Sequence, residues 1–281
     1  MQIIESIGTM QKWSEQKRLQ GKRVVLVPTM GYLHGAHLEL VREGRKHGDC
    51  LVVSVFVNPS QFPPGEDFAA YPRDFQRDRG LLEGEGVDVI FHPGSEAVYP
   101  PGYQTRVEVG ELSRFLCGPH RPGHFQGVAT VVAKLFNMVR PRVAVFGLKD
   151  YQQFLIIRRL VEDLNFDIEV VGHPIVREPD GLAMSSRNVY LNAEERKSAL
   201  CLSRALKKAE DLVLRGERDG GGILRQVGDE IAREPLVRPE YVKLCDPENL
   251  QSIKKVEGKA LLALAVRVGK ARLIDNSLLG A

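Results

Sequence analysis

Val24-Val25-Leu26-Val27-Pro28-Thr29-Met30-Gly31-Tyr32-Leu33-His34-Gly35-Ala36-His37 decides how the rest of this chain is read. Its opening apolar run is continuous, as a parallel strand buried on both faces must be. Leu38, Leu40 and Val41 follow at helical spacing. Two histidines three residues apart therefore stand where a strand hands over to a helix. Open α/β sheets bind ligands there, outside the carboxyl ends of their strands. A helix start offers free N–H groups and partial positive charge that suit a phosphate. Two imidazoles can add hydrogen bonds or charge to the same anion.

Outward from this stretch the pattern repeats. Strands are expected at 23–28, 50–57, 87–92, 142–147 and 166–171. Helices are expected at about 36–47, 73–84, 126–139 and 150–163. Strand alternating with helix predicts a Rossmann-like, doubly wound parallel sheet over residues 1–175. Beyond about 176 the order changes. A long amphipathic helix at about 193–215 precedes Gly220-Gly221-Gly222, a helix at 223–233, and strands at 240–245, 260–268 and 271–275. Residues 176–281 are thus expected to form a smaller α+β domain. The stretches 58–72, 93–104 and 117–123 read as loops, and long loops in such domains are often functional.

Composition narrows the function. A formal charge of +3 over 281 residues lacks the dense basic stripe of a dedicated nucleic-acid binder. The four cysteines, Cys50, Cys117, Cys201 and Cys245, are widely spaced with no Cys-x-x-Cys pair. That suits reduced thiols in a cytoplasmic protein rather than a disulfide framework or zinc ribbon. No signal peptide and no membrane-length apolar run is visible. Neither a P-loop nor a dinucleotide fingerprint stands in a strand-to-helix turn, and no nucleophile elbow is present.

Four further motifs carry candidate chemistry. Gly147-Leu148-Lys149-Asp150 follows a second apolar strand. Lys149 there can reach a phosphate, and Asp150 also suits a plain helix cap. Gln153 lies in the next helical turn, where a polar substrate or bulk water can take its amide. Met184-Ser185-Ser186-Arg187 sets two hydroxyls before a guanidinium, a donor set for phosphate oxygens or a capped loop. Gln61, in Asn58-Pro59-Ser60-Gln61, can donate and accept, though the stretch alone is a turn signal. His124, in Arg121-Pro122-Gly123-His124-Phe125-Gln126-Gly127, reads as a site residue or, equally, a surface loop histidine. No His, Cys or carboxylate cluster near His34 and His37 completes a protein metal site.

Together and in this order, the motifs resemble one family. His34-x-x-His37 with Met184-Ser185-Ser186-Arg187 resembles the nucleotidyltransferase superfamily that includes class I aminoacyl-tRNA synthetases. With Phe56-Val57-Asn58-Pro59-Ser60-Gln61-Phe62, Phe146 to Gln153 and Asp180 to Asn188, the set resembles the pantoate–β-alanine ligase (pantothenate synthetase) family. The resemblance implies a cytoplasmic homodimer joining pantoate to β-alanine, with ATP carrying magnesium as co-substrate. It implies an ATP site of Met30, Gly31, Tyr32, Leu33, His34, Gly35, Ala36, His37, Gly147, Leu148, Lys149, Asp150, Val176, Met184, Ser185, Ser186 and Arg187. His34, His37, Lys149, Ser185, Ser186 and Arg187 would be its catalytic groups, His37 the proton donor. Gln61 and Gln153 would hold pantoate, and Gln61 would touch β-alanine. One departure stands out: Ala36 occupies a place where the family usually has glycine, which implies weaker ATP binding. The rival reading is a nucleotidyltransferase that releases pyrophosphate only.

Overall fold

The computed structural model describes residues 1–280. The chain forms two compact units. The first comprises Met1–Ser113, Arg121–Leu148 and Gln153–Pro174, and the second Arg114–His120, Lys149–Gln152 and Ile175 onward. The chain therefore crosses between units more than once.

The first unit holds β1 (Gln2–Ile4), β2 (Val24–Thr29), β3 (Cys50–Val55), β4 (Val89–Phe91), β5 (Val143–Gly147) and β6 (Glu169–His173). They form one sheet in the order β1-β4-β3-β2-β5-β6, with every pairing parallel. The chain winds away from β2 in one direction and resumes at β5 on its other side. The carboxyl ends of β2 and β5 thus flank the topological switch point. Helices α1 (Ile7–Leu19), α2 (Gly35–Arg45), α3 (Phe75–Gly84), α4 (Ser95–Val98), α5 (His124–Val139) and α6 (Tyr151–Asp163) complete it.

Both faces of this sheet are covered, which is why its strands do not alternate in polarity. Val25, Val27, Leu51, Val53 and Val145 pack with Leu40 and Val41 of α2 in one cluster. Val24 and Leu26, pointing the other way along β2, are equally buried. The expected strands and helices of this half are all present, with ends shifted by a few residues. Elements not expected include β1, α1 and α4, the last within the stretch 93–104 that reads as a loop. β1 has only three residues, and α1 buries only Met10 and Ser14, too sparse a stripe to read as a periodic pattern.

The second unit has an antiparallel sheet of β7 (Val237–Cys245), β8 (Ala260–Val268) and β9 (Ala271–Leu279) in that order. Against it lie α7 (Ala193–Ala199), α8 (Cys201–Leu214) and α9 (Gly220–Ala232), sharing one core with β8. The single helix expected at 193–215 is in fact two, meeting at Leu200. β9 runs well past the expected 271–275. Its polar Asp275 and Asn276 hide the strand from a hydrophobicity reading, yet both are buried. Among the described residues, no helix is long and apolar enough to cross a membrane.

Candidate active site

The turn from β2 into α2 is held by backbone conformation and one carboxylate. Thr29 Oγ1 donates to Ser54 O at 2.8 Å and accepts from Gly31 N at 3.2 Å, tying the end of β2 to β3. Gly31 and Tyr32 then both take left-handed conformations, at φ 77° and 49°. A side chain on Gly31 would meet Asp78 Oδ2 and Val55 Cγ1 at 3.0 Å. The two left-handed residues aim successive N–H groups at Asp78 of α3. Tyr32 N and Leu33 N each donate to it at 2.7 Å, to different oxygens. Arg77, one residue earlier on α3, donates to Leu33 O at 2.7 Å. Burial pushes the Asp78 carboxyl above its ordinary range, and the N–H groups of Leu33 and Tyr32 pull against that shift.

This grip presents the histidines. His34 caps α2 in an extended conformation, and its N–H donates to His37 Nδ1 at 3.3 Å. The rings lie 4.0 Å apart between centroids. Because His37 Nδ1 accepts, neutral His37 carries its proton on Nε2, which is then a donor. A cavity of about 460 Å³ adjoins the turn, lined by Met30, Gly31, Tyr32, Phe56, Phe75 and His92 among others.

Gln61 is oriented by its neighbours. Asn58 is 1 % exposed and its amide is fully engaged. Its Oδ1 accepts from Ser60 N (3.3 Å), Ser60 Oγ (2.9 Å) and Tyr99 Oη (2.8 Å). Its Nδ2 donates to Gly127 O and to Gln61 Oε1, both at 3.1 Å. A flipped Asn58 would set like groups against each other at both ends, so its orientation is determined. The oxygen of Gln61 therefore faces Asn58, and its nitrogen faces the other way, donating to Met30 Sδ at 2.9 Å. The expectation that Gln61 both donates and accepts narrows accordingly: its oxygen is taken by Asn58, and its N–H side lies towards Met30.

His124 is 6 % exposed, and its reading as a surface loop histidine is corrected. Nδ1 donates to Gln61 O at 2.7 Å, and Nε2 accepts from Arg121 Nη1 at 2.8 Å. Arg121 also grips Glu66 through two 2.6 Å bonds. The ring turns inward because α5 lies directly on the 59–61 turn. A Cβ on Gly127 would come within 2.2 Å of Ser60 O, so only glycine permits that approach.

The two glutamines of α6 differ. Gln152 is buried, with Oε1 accepting from Cys117 N at 3.0 Å and Nε2 donating to Phe115 O at 2.7 Å. Gln153 is half-buried and hydrogen-bonds to no described residue, so its amide remains for a ligand or water.

In the second unit, residues 176–184 form a short hairpin. Met184 N donates to Val176 O at 3.0 Å, and Glu178 N to Leu182 O at 2.8 Å. The Ser-Ser-Arg motif leaves this hairpin as a 3-10 helix, Ser186–Tyr190, with Ser185 capping it through Arg187 N. Arg177 holds the hairpin to Asp275 through bonds of 2.7 and 3.0 Å. Arg196 pairs with Glu178 and Asp180 at 2.7 Å each. Lys149 and Asp150 belong to this unit, whereas Gly147 and Leu148 belong to the first with Met30 to His37, Gln61 and Gln153. Sequence reasoning missed Asp78, Tyr99, Arg177, Asp275 and Asn276. Single polar residues inside otherwise ordinary helices, loops and strands carry no periodic or motif signal.

A parallel sheet with a histidine-edged helix start beside its switch point defines an α/β enzyme fold of the nucleotide-handling kind. A profile of the family described as "Pantoate-beta-alanine ligase" matches residues 2–278. The pantothenate synthetase of Thermotoga neapolitana is 56% identical over 280 residues, covering 100% of both chains. That of Syntrophus aciditrophicus is 55% identical over 280 residues, covering 100% of this chain and 98% of its own. The crystal structure of the Thermus thermophilus pantothenate synthetase superposes with a TM-score of 0.94 at 47% identity, over 99% of both chains. A Francisella tularensis pantoate-beta-alanine ligase, complexed with beta-gamma ATP and beta-alanine, gives 0.81 at 31% identity, over 99% and 97% of the two chains. The chain belongs to the pantoate–β-alanine ligase family, and it is a ligase.

Proposed function

We propose that this chain condenses (R)-pantoate with β-alanine at the expense of ATP, through a pantoyl adenylate. In the first step the pantoate carboxylate bonds to the α-phosphorus, the bond to the β-phosphate bridge breaks, and pyrophosphate leaves. In the second the β-alanine nitrogen bonds to the acyl carbon, the acyl–phosphate bond breaks, AMP leaves, and the amine loses a proton. Such transfers need positioned donors and little covalent help from the protein.

The observation that carries this reading is the locked amide of Gln61. Its N–H side lies beside Met30, which suits the oxygens of a hydroxy acid. Gln153 supplies a second amide with no competing partner among the described residues. The resemblance assigns His34, His37, Lys149, Ser185, Ser186 and Arg187 to the phosphates, and His37 Nε2–H is a donor of the required kind. Magnesium is assigned to ATP itself; the described residues hold no group of three or more His, Cys, Asp or Glu side chains suited to a metal. A cytoplasmic homodimer completes the proposal.

The test follows AMP and pyrophosphate from ATP with D-pantoate, with and without β-alanine. Equal AMP and pyrophosphate, with AMP only when both acids are present, is the expected result. Pyrophosphate without AMP under every condition would favour the rival nucleotidyltransferase. ATP bound and never cleaved would remove both readings.

A further inference from the structure

β9 touches both nucleotide motifs of the second unit. Asp275 and Asn276 are adjacent on this strand, 2 % and 8 % exposed. Successive residues of a strand leave on opposite faces. Asp275 takes the hairpin: Arg177 Nη1 and Nη2 donate to its two oxygens at 2.7 and 3.0 Å, and Nη1 also reaches Gly181 O at 3.1 Å. Asn276 takes the other motif, with Nδ2 donating to Lys149 O at 3.0 Å. The pair is itself braced, since Asn276 N donates to Asp275 Oδ1 at 2.9 Å. Residues 149–152 accordingly group with the second unit although the strand and most of the helix that flank them belong to the first.

We propose that Asp275 and Asn276 are positioning residues for the nucleotide: a two-sided bracket that sets Lys149 in register with Val176 and Ser185–Arg187 before ATP binds. Neither residue touches the nucleotide. The bracket's value lies in preorganisation, since donors already in place need no ordering when the phosphates arrive. The unbranched Lys149 stem gives its ammonium no fixed position by itself, so the backbone anchor at Lys149 O matters. This inference rests on the proposed reaction in using ATP as the ligand.

The experiment compares Asn276→Ala and Asn276→Asp with the wild type, by calorimetric ATP binding and by steady-state kinetics in all three substrates. Asp has the shape of Asn but sets an acceptor against Lys149 O. A packing role would leave Asn276→Asp close to wild type and Asn276→Ala worse. The bracket gives the reverse order. ATP affinity should fall roughly 5- to 10-fold in Asn276→Ala, the size of one net hydrogen bond, and further in Asn276→Asp. KM for pantoate and β-alanine should stay within about twofold, because their residues lie on other elements. Arg177→Lys, at a position about one-third exposed, carries the same test if the Asn276 variants do not fold. It keeps the charge and loses the fork, and should weaken ATP alone. Unchanged ATP affinity in these variants, or equal loss for all three substrates, overturns the bracket. A wild type that binds ATP without making AMP overturns the proposed reaction, while the calorimetric order still decides the bracket.

Discussion

The turn after β2 and the hairpin at 176–184 are both short loops that present donors, yet different forces hold them. The β2 turn relies on a buried carboxylate, left-handed backbone and neutral hydrogen bonds; Asp78 is 1 % exposed. The hairpin relies on guanidinium pairs, Arg196 with Glu178 and Asp180 at its rim and Arg177 with the buried Asp275. Buried hydrogen bonds of the first kind are scarcely screened by salt, whereas rim ion pairs are. The β2 turn should therefore hold as salt rises, whereas the Arg196 pairs of the hairpin should loosen.

The strongest challenge to this contrast is Asp78→Ala. It leaves two buried N–H groups without an acceptor. Urea unfolding should show a loss of about 2–4 kcal/mol, and ATP turnover should fall at least ~10-fold with the histidines displaced. Asp78→Asn keeps one acceptor and should recover part of both. A wild-type profile for the alanine variant would show that the turn holds itself.

Tyr99→Phe probes the first unit more gently. It removes one donor from Asn58 Oδ1, which holds Gln61. KM for pantoate should rise about 3- to 5-fold, within the net worth of one hydrogen bond, while KM for ATP stays level. Equal change in both constants would detach Tyr99 from Gln61.

At the hairpin, Asp180 carries an acid dependence that one substitution can remove. Burial alone would raise its pKa, but the Arg196 guanidinium and Leu182 N–H hold it below the ordinary 3.8. A carboxyl lowered on folding contributes stability that is complete above about 3.8 and is lost as pH falls through its folded value. Thermal unfolding followed from about pH 5 to about pH 2 should therefore lose part of its acid dependence in Asp180→Asn. An unchanged slope would mean that Arg196 holds the hairpin through Glu178 alone.

The smallest effect is expected from Ala36→Gly, at the second residue of α2. A glycine there allows closer backbone approach and should lower KM for ATP by about twofold, while costing roughly 0.5–1 kcal/mol of helix stability. Unchanged or weaker ATP binding would remove any penalty from the methyl group.

Much of this was legible in advance, for identifiable reasons. Continuous apolar runs such as Val24 to Val27 and Cys50 to Val57 are what strands covered on two faces require, so the parallel sheet could be read. Motifs with short fixed spacing, His34-x-x-His37 and Met184 to Arg187, work through neighbours on one turn or loop and are therefore local. β1, α1, α4 and the end of β9 escaped because too few apolar residues mark them.

Sequence by itself determined the alternating α/β order, the place of the histidine pair at a strand-to-helix turn, and the family resemblance. Tertiary structure alone decided that Asp78 grips that turn from 45 residues away along the chain. It also decided that Tyr99 and Asn58 point the Gln61 amide nitrogen outward, and that β9 binds Lys149 from 127 residues away. Periodicity and spacing record what a residue does for its own element. Which distant polar group satisfies a buried donor depends on chain folding, and buried donors must be satisfied by whatever the fold brings near.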